Sequence, residues 1–311
     1  MKSMSKISEK DILVPLDVLS DYRDAYISNY MTATQESGRL MLFAGDQKIE
    51  HLNDDFYGED ISAEDNDPEH LFKIAENGRI GVFATQLGLI ARYGKDYPDL
   101  AYLVKMNSKT HLVKTSQADP YSGQLYSIDQ LMEFKENSGL NIVGIGYTIY
   151  LGSGYEADML AEAAQLVYEA HRFGLLSVLW IYPRGQAVAD EKDSHLIAGA
   201  TGVAACLNAD FVKVNAPRAK DGLESAVLLK EAVQSAGRTK VVCAGGSNAA
   251  PEEFLEELYK QLHVGGVAGN ATGRNIHQKS LDEAVRMCNA IYALTVQLAP
   301  LDEALRIYRV G

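Results

Sequence analysis

Three cysteines in 311 residues, Cys206, Cys243 and Cys288, are too few and too far apart to staple a fold. An odd, unpaired set points to a reducing, cytoplasmic compartment rather than to a disulfide-built secreted domain. Long apolar runs are missing as well. No stretch of 18 apolar residues occurs, which excludes an ordinary membrane-spanning helix. The opening segment MKSMSKISEKDILVPLD mixes charges throughout and has no apolar core of the secretory type. Basic residues are in deficit, 29 against 42 acidic ones, for a net charge of −13. That balance argues against a nucleic-acid backbone as partner.

Several catalytic signatures are absent. There is no HExxH, no GxSxG, no phosphate-binding P-loop and no GxGxxG after a strand. Gly144-Ile-Gly146 is too short to be a dinucleotide fingerprint. The seven histidines have no metal-ligand spacing with one another or with cysteine, so no metal site is expected. His51, His70, His171 and His277 read as surface or satisfied-core residues. Eight of the acids crowd between Asn53 and His70 with no Lys or Arg among them, and the rest of the chain carries only −5. This stretch reads as a solvated acidic insertion in a surface loop. Its spacing lacks the central Gly and terminal Glu of a calcium loop.

What is present is a regular series of short, continuously apolar runs. They are 40–45, 81–86, 101–107, 142–150, 175–182, 211–215, 240–246 and 266–273. Runs of this kind suit parallel strands buried on both faces. Helical patterns fill the gaps. Asp67 and Pro68 form an N-cap and first-turn proline for a helix over 67–77. Ser127 and Gln130 make a capping box ahead of a helix that stops at Gly139. Residues 156–173 carry Leu160, Ala163, Ala164, Val167 and His171 on one stripe. Further helices are expected near 194–207, 222–236, 251–262 and 279–297, with the poorest periodicity at 87–94. Eight strands alternating with helices predict an α/β fold, a single (β/α)₈ TIM barrel. A doubly wound open sheet is the alternative.

With no repeat and no linker, residues 1–311 read as one domain. Residues 1–38 form an N-terminal helical extension, its helix near 18–36 capping the closed end. Residues 39–297 form the barrel, and 298–311 a tail with a short C-terminal helix.

In such a barrel the chemistry sits at the C-terminal ends of the strands. Those ends carry Asp46, Lys105, Asn107, Trp180, Tyr182, Arg184, Lys213 and Asn215. Side chains alternate along a strand, so if Lys213 points inward then Phe211 and Asn215 do too, while Val212 and Val214 face the helices. A lysine inside a barrel is either a buried salt-bridge partner, with Asp46 the candidate, or a neutral nucleophile. Burial and a neighbouring cation such as Lys105 both favour the neutral amine. Gly245, Gly246 and Ser247 after one strand, and Gly273 and Arg274 after the next, suit phosphate. Glycines let the backbone approach an anion, and Arg adds a guanidinium. Two tight turns would be the purely structural reading.

The run Ala209-Asp-Phe-Val-Lys213-Val-Asn resembles the Schiff-base strand of the class I aldolase superfamily, which includes deoxyribose-phosphate aldolase and the archaeal-type class I fructose-1,6-bisphosphate aldolases. Trp180-Ile-Tyr182-Pro-Arg-Gly185, Ala244-Gly-Gly-Ser247, Ala271-Thr-Gly273-Arg274-Asn275 and Gly45-Asp46 fit the fructose-bisphosphate branch in the right order. The likeness runs from about residue 38 to 297. It implies that Lys213 forms an imine with a ketose carbonyl, that Tyr182 is the general acid/base near C4, and that Asp46 handles hydroxyls and assists proton transfer. Trp180 would line the pocket. Gly245, Gly246, Ser247, Gly273 and Arg274 would cradle phosphate; Lys105, from its strand end, is a further substrate-binding candidate. No metal or cofactor is implied, because the protonated imine is the electron sink.

One departure stands out. The family commonly carries His-Gly after the first-strand aspartate, whereas here Gln47-Lys48 follow. The expected activity is reversible cleavage of fructose 1,6-bisphosphate to dihydroxyacetone phosphate and glyceraldehyde 3-phosphate, as in glycolysis and gluconeogenesis. The alternatives are a transaldolase-like or aldol-type enzyme on another phosphorylated ketose, such as an aromatic-precursor synthase, and a non-catalytic sugar-phosphate-binding barrel. The expected partners are a small sugar phosphate and copies of the chain itself, since relatives form homo-oligomers, including decamers. No nucleic acid and no membrane are expected.

Overall fold

The computed structural model describes residues 6–115, 117–246 and 249–310. The strands are β1 (Leu40–Ala44), β2 (Val82–Gln86), β3 (Tyr102–Lys105), β4 (Asn107–Ser108), β5 (Gly123–Gln124), β6 (Ile142–Leu151), β7 (Leu176–Pro183), β8 (Phe211–Val214), β9 (Lys240–Ala244) and β10 (Gly269–Thr272). Eight of them close a parallel barrel in the order β1-β10-β9-β8-β7-β6-β3-β2, and β4 and β5 form a separate antiparallel pair. The helices are α1 (Arg23–Thr34), α2 (Gln47–Glu50), α3 (Glu69–Asn77), α4 (Leu87–Tyr93), α5 (Ile128–Ser138), α6 (Glu156–Arg172), α7 (Ser194–Cys206), α8 (Ser225–Ser235), α9 (Pro251–Lys260), α10 (Arg274–His277), α11 (Leu281–Thr295) and α12 (Leu301–Val310). The closed eight-stranded α/β barrel is the architecture expected, and the open sheet is excluded.

Two apolar clusters hold it. Met41, Phe43, Val104, Leu179, Val212 and Val214 face outward and pack under the helices. Leu40, Leu42, Leu103, Val178, Trp180, Phe211 and Val242 fill the barrel itself. The alternation expected along 211–215 is therefore the one observed. The interior cluster continues downward into Ile12, Val18, Tyr26 and Ala33, and Tyr30 stacks on Phe211 at 5.8 Å. Residues ahead of β1 thus plug the N-terminal end of the barrel.

Local signals locate most boundaries. The Ser127–Gln130 capping box is formed, and Gly139 ends α5 in the left-handed conformation at φ +67°. The Asp67 side chain accepts the Glu69 N–H at 3.0 Å, just ahead of Pro68 and α3. Three expectations need correction. The run 101–107 is not one strand: β3 stops at Lys105 and the chain turns away into β4. Asn107 anchors that turn, its buried amide bonding Ser122 O and Thr148 O at 2.8 Å each. On α6 the buried stripe runs through Met159, Ala163, Leu166, Val167, Ala170 and His171, while Ala164 faces solvent. The acidic segment is not merely a solvated loop. Phe56 and Asp65 are fully buried, Phe56 stacks on the His277 ring at 4.6 Å, and Asp65 pairs with His277 at 2.7 Å. The segment packs over the loop after β10 because Phe56 and the buried Asp65 carboxylate both find partners there.

Candidate active site

At the C-terminal end of the barrel a cavity of about 130 Å³ opens over the strand ends. Lys213, Trp180, Tyr182, Asp46, Gly245, Gly246, Gly273 and Arg274 all line it. Ser247 lies outside the described residues. Lys105 is buried and is not among the lining residues. A larger open cleft of about 890 Å³ lies at the opposite end beside α1, away from every strand-end residue singled out in the sequence.

Lys213 and Trp180 are register partners on β8 and β7. The Trp180 ring lies over Gly146, where a Cβ would come within 2.3 Å of it. Gly146 is therefore glycine to make room for an aromatic, not to bind a nucleotide. The Lys213 ammonium sits 5.2 Å from the Trp180 ring centroid and that of Lys105 sits 5.4 Å from it. Lys105 is held by Asn107, donating to its backbone carbonyl at 3.1 Å and to its Oδ1 at 3.0 Å.

Among the described residues no carboxylate lies within 4.0 Å of the Lys213 nitrogen, so the salt bridge to Asp46 is not formed. Burial lowers the Lys213 pKa to about 8; Asp46 and Glu50 pull it back up, and Lys105 and Arg274 push it down. Its neutral, nucleophilic form is thus accessible near neutral pH. Tyr182 behaves in the opposite way. Burial, Asp46 and Glu50 raise its pKa well above that of a free phenol, so it is protonated at neutrality.

The two glycine loops meet as a corner. Gly246 is left-handed at φ +73° with open space where a side chain would project. Arg274 donates to Gly246 O at 3.0 Å and lies 3.7 Å from Asp55. Asn275 ties the loops together, donating to Gly245 O at 2.8 Å and accepting from the Ala249 N–H at 3.0 Å. The bare Gly246 backbone and the Arg274 guanidinium meet at this corner, groups of the kind an anion takes.

Sequence reasoning missed part of the wall. Gln47, Glu50 and His51 of the α2 turn line the cavity; Arg184, already singled out past the end of its strand, joins them. The Tyr150 hydroxyl donates to the Glu50 carboxylate. Burial pushes the Glu50 pKa up, but that hydrogen bond and Lys105 outweigh it and hold it below its usual value. Arg184 pairs with Glu191 at 3.0 Å. The only hint in the sequence was the departure at 47–48. Of the histidines, His70 and His171 are satisfied core residues; His277 is buried with Nδ1 on Asp65 and its Nε2 without a partner among the described residues; His51 sits at the cavity, paired with Asp55 at 2.7 Å. Among the described residues no group of three His, Cys, Asp or Glu is placed to hold a metal ion.

The family profile described as DeoC/LacD family aldolase matches residues 40–279. A protein of Methanocaldococcus jannaschii named fructose-bisphosphate aldolase/6-deoxy-5-ketofructose 1-phosphate synthase is 57% identical over 305 residues, 98% of this chain and 97% of that one. The solved structure of a fructose-bisphosphate aldolase from Slackia heliotrinireducens superposes with a TM-score of 0.96 at 60% identity, covering 97% of this chain and 95% of that one. An archaeal fructose-1,6-bisphosphate aldolase, solved with its catalytic lysine covalently bound to the carbinolamine intermediate, matches with a TM-score of 0.73 at 27% identity, covering 86% and 98%. A barrel of this topology, with a lysine at the end of β8 and a match to the family profile from β1 through α10, makes the chain a member of the DeoC/LacD aldolase family.

Proposed function

We propose that the chain is a class I aldolase that cleaves fructose 1,6-bisphosphate to dihydroxyacetone phosphate and glyceraldehyde 3-phosphate and runs the reverse condensation. The observation that carries this reading is the unpaired Lys213 amine, buried at the end of β8 with its pKa lowered to about 8. The amine adds to C2 of the ketose, and loss of water leaves a protonated imine. As the C4 hydroxyl gives up its proton, the C3–C4 bond breaks and its electron pair moves into the imine, forming an enamine. Glyceraldehyde 3-phosphate leaves. The enamine is protonated at C3, and hydrolysis returns Lys213 and dihydroxyacetone phosphate.

Tyr182 is the group for the C4 proton. Held protonated, it is in the competent state for condensation, where it donates to the forming C4 oxygen, and the same path run backwards serves cleavage. Asp46 is the nearby carboxylate for hydroxyl binding and proton transfer. Gly245, Gly246, Gly273, Arg274 and Ser247 are the proposed cradle for one phosphate. Lys105, buried beside the same indole ring, lowers the Lys213 pKa by its charge and is a further candidate to bind substrate. In this reading the imine supplies the electron sink without a metal or other cofactor.

A second reading is favoured by one feature. Asp46 and Glu50 both line the cavity, and Arg184 is already neutralised by Glu191. Such a wall suits an uncharged half better than a second dianion. The M. jannaschii relative is named also as a 6-deoxy-5-ketofructose 1-phosphate synthase. The aldol halves of that product are dihydroxyacetone phosphate and 2-oxopropanal, an uncharged acceptor.

We take residues 1–311 as one domain. Its two buried, unpaired cysteines fit a reducing, cytoplasmic setting, and the family likeness suggests a homo-oligomer. The test is turnover of fructose 1,6-bisphosphate in EDTA, alongside condensation of dihydroxyacetone phosphate with 2-oxopropanal. Triose phosphate release undiminished by EDTA is expected. Loss of activity with recovery on adding Zn²⁺ would move the protein to the metal-dependent class. Condensation without bisphosphate cleavage would favour the second reading.

A further inference from the structure

The turn after β1 carries a side chain that the chemistry above leaves unused. Gln47 opens α2 directly after Asp46 and lines the cavity. Its amide lies against the loop after β10: a Cβ on Gly273 would come within 2.2 Å of Gln47 Nε2. Gly273 is therefore bare where the glutamine reaches the phosphate corner. Gln47 Oε1 is buried and has no hydrogen-bond partner among the described residues. Two other cavity atoms share this state, Asp46 Oδ1 and Trp180 Nε1. Buried polar atoms without partners are rare in folded proteins, and a cluster of them at one cavity marks groups that a ligand completes. Two acceptors and one donor match a ligand with hydroxyl groups and a further oxygen.

We infer that Gln47 is a specificity-determining residue whose side-chain carbonyl accepts a hydrogen bond from the free hydroxyl of dihydroxyacetone phosphate bound as the Lys213 imine. The inference rests on the imine reading above. With the phosphate at the Gly246–Arg274 corner and C2 on Lys213, a three-carbon ketone has one hydroxyl left, on C3. The Gln47 amide, beside that corner, offers a neutral acceptor with no other partner in the same cavity. An amide does not titrate in the working range, so it reads the hydroxyl without competing with Asp46 for protons. Its preference is independent of pH.

The test is borohydride trapping with two probes, dihydroxyacetone phosphate and hydroxyacetone phosphate. The second keeps the carbonyl and phosphate and lacks only the C3 hydroxyl. The wild-type chain should half-saturate at concentrations about 10- to 100-fold lower for the first probe, the scale of one good hydrogen bond. In Gln47→Met, which keeps the length and loses the strong acceptor, that ratio should fall to within about threefold. The change should come from weaker dihydroxyacetone phosphate binding, with hydroxyacetone phosphate unchanged. If Gln47→Met fails to fold, Gln47→Asn withdraws the carbonyl by one methylene and should give the same collapse. A ratio kept in the variant, or equal losses for both probes, would overturn the assignment. A wild-type chain that traps neither probe would instead remove the imine reading, and this one with it.

Discussion

Lys213 differs from a surface lysine only in where β8 delivers it. Its amine lies inside the barrel against Trp180, away from ion-pairing carboxylates, so burial dominates its titration. The neutral fraction grows as pH rises through about 8, and imine formation should accelerate over the same interval and then level off. Tyr182 is shifted the other way by burial and by Asp46. Tyr182→Phe should slow cleavage by roughly 10²–10⁴-fold, the usual worth of a general acid/base. Imine trapping should survive better, since Lys213 is untouched. Near-wild-type turnover in the variant would pass the proton role to another group, with Asp46 first in line. These residues were legible in part from period two, which puts Lys213 with Phe211 and Asn215 on one face of β8 and Trp180 with Tyr182 on one face of β7; their roles came from the family resemblance. Gln47 and Glu50 were not legible, because a four-residue helix has no period to read and their partners, Gly273 and Tyr150, lie far along the chain.

Among elements, the N-terminal segment is joined to the barrel by an ionic clamp. His171 on α6 is fully buried between Asp17, at 3.0 Å, and Asp210, at 3.1 Å. Asp210 also accepts from the Tyr26 hydroxyl of α1 and from the Ser177 N–H at 2.7 Å. Burial alone would lower the His171 pKa, but Asp210 and Asp17 outweigh it and raise it to about 10. A histidine raised in this way contributes stability that is complete below its unfolded value of about 6.5 and is lost as pH climbs through 10. Unfolding free energy, measured in urea at a series of pH values, should therefore decline between pH 6.5 and 10 by on the order of several kcal/mol. In His171→Gln that decline should be largely absent. Parallel curves for the two proteins would show that the imidazole is not charged in the fold. His171 could be read from the sequence as a core residue of α6, since it lies on the buried stripe. Its partners could not, because Asp17 and Asp210 are 154 and 39 residues away. The acidic segment was misread for the same reason. Composition marks it as solvated, and only the tertiary contacts of Phe56 and Asp65 with His277 show that it is anchored.

At the scale of the whole molecule, eight apolar runs and the helices between them were enough to read a closed barrel. Nearly continuous burial on both faces leaves few other arrangements. Closure also determines where chemistry can occur, because one end is plugged by residues ahead of β1 and the other gathers the strand-end side chains. Lys213 and Lys105 are both buried, with their nitrogens 5.2 and 5.4 Å from the Trp180 ring centroid, and imine chemistry needs one of them as nucleophile. Borohydride reduction in the presence of dihydroxyacetone phosphate, followed by intact mass and peptide mapping, decides between them. The expected result is a single adduct on Lys213, abolished by Lys213→Met and retained by Lys105→Met. An adduct on Lys105 with Lys213 unmodified, or no adduct on either, would contradict it.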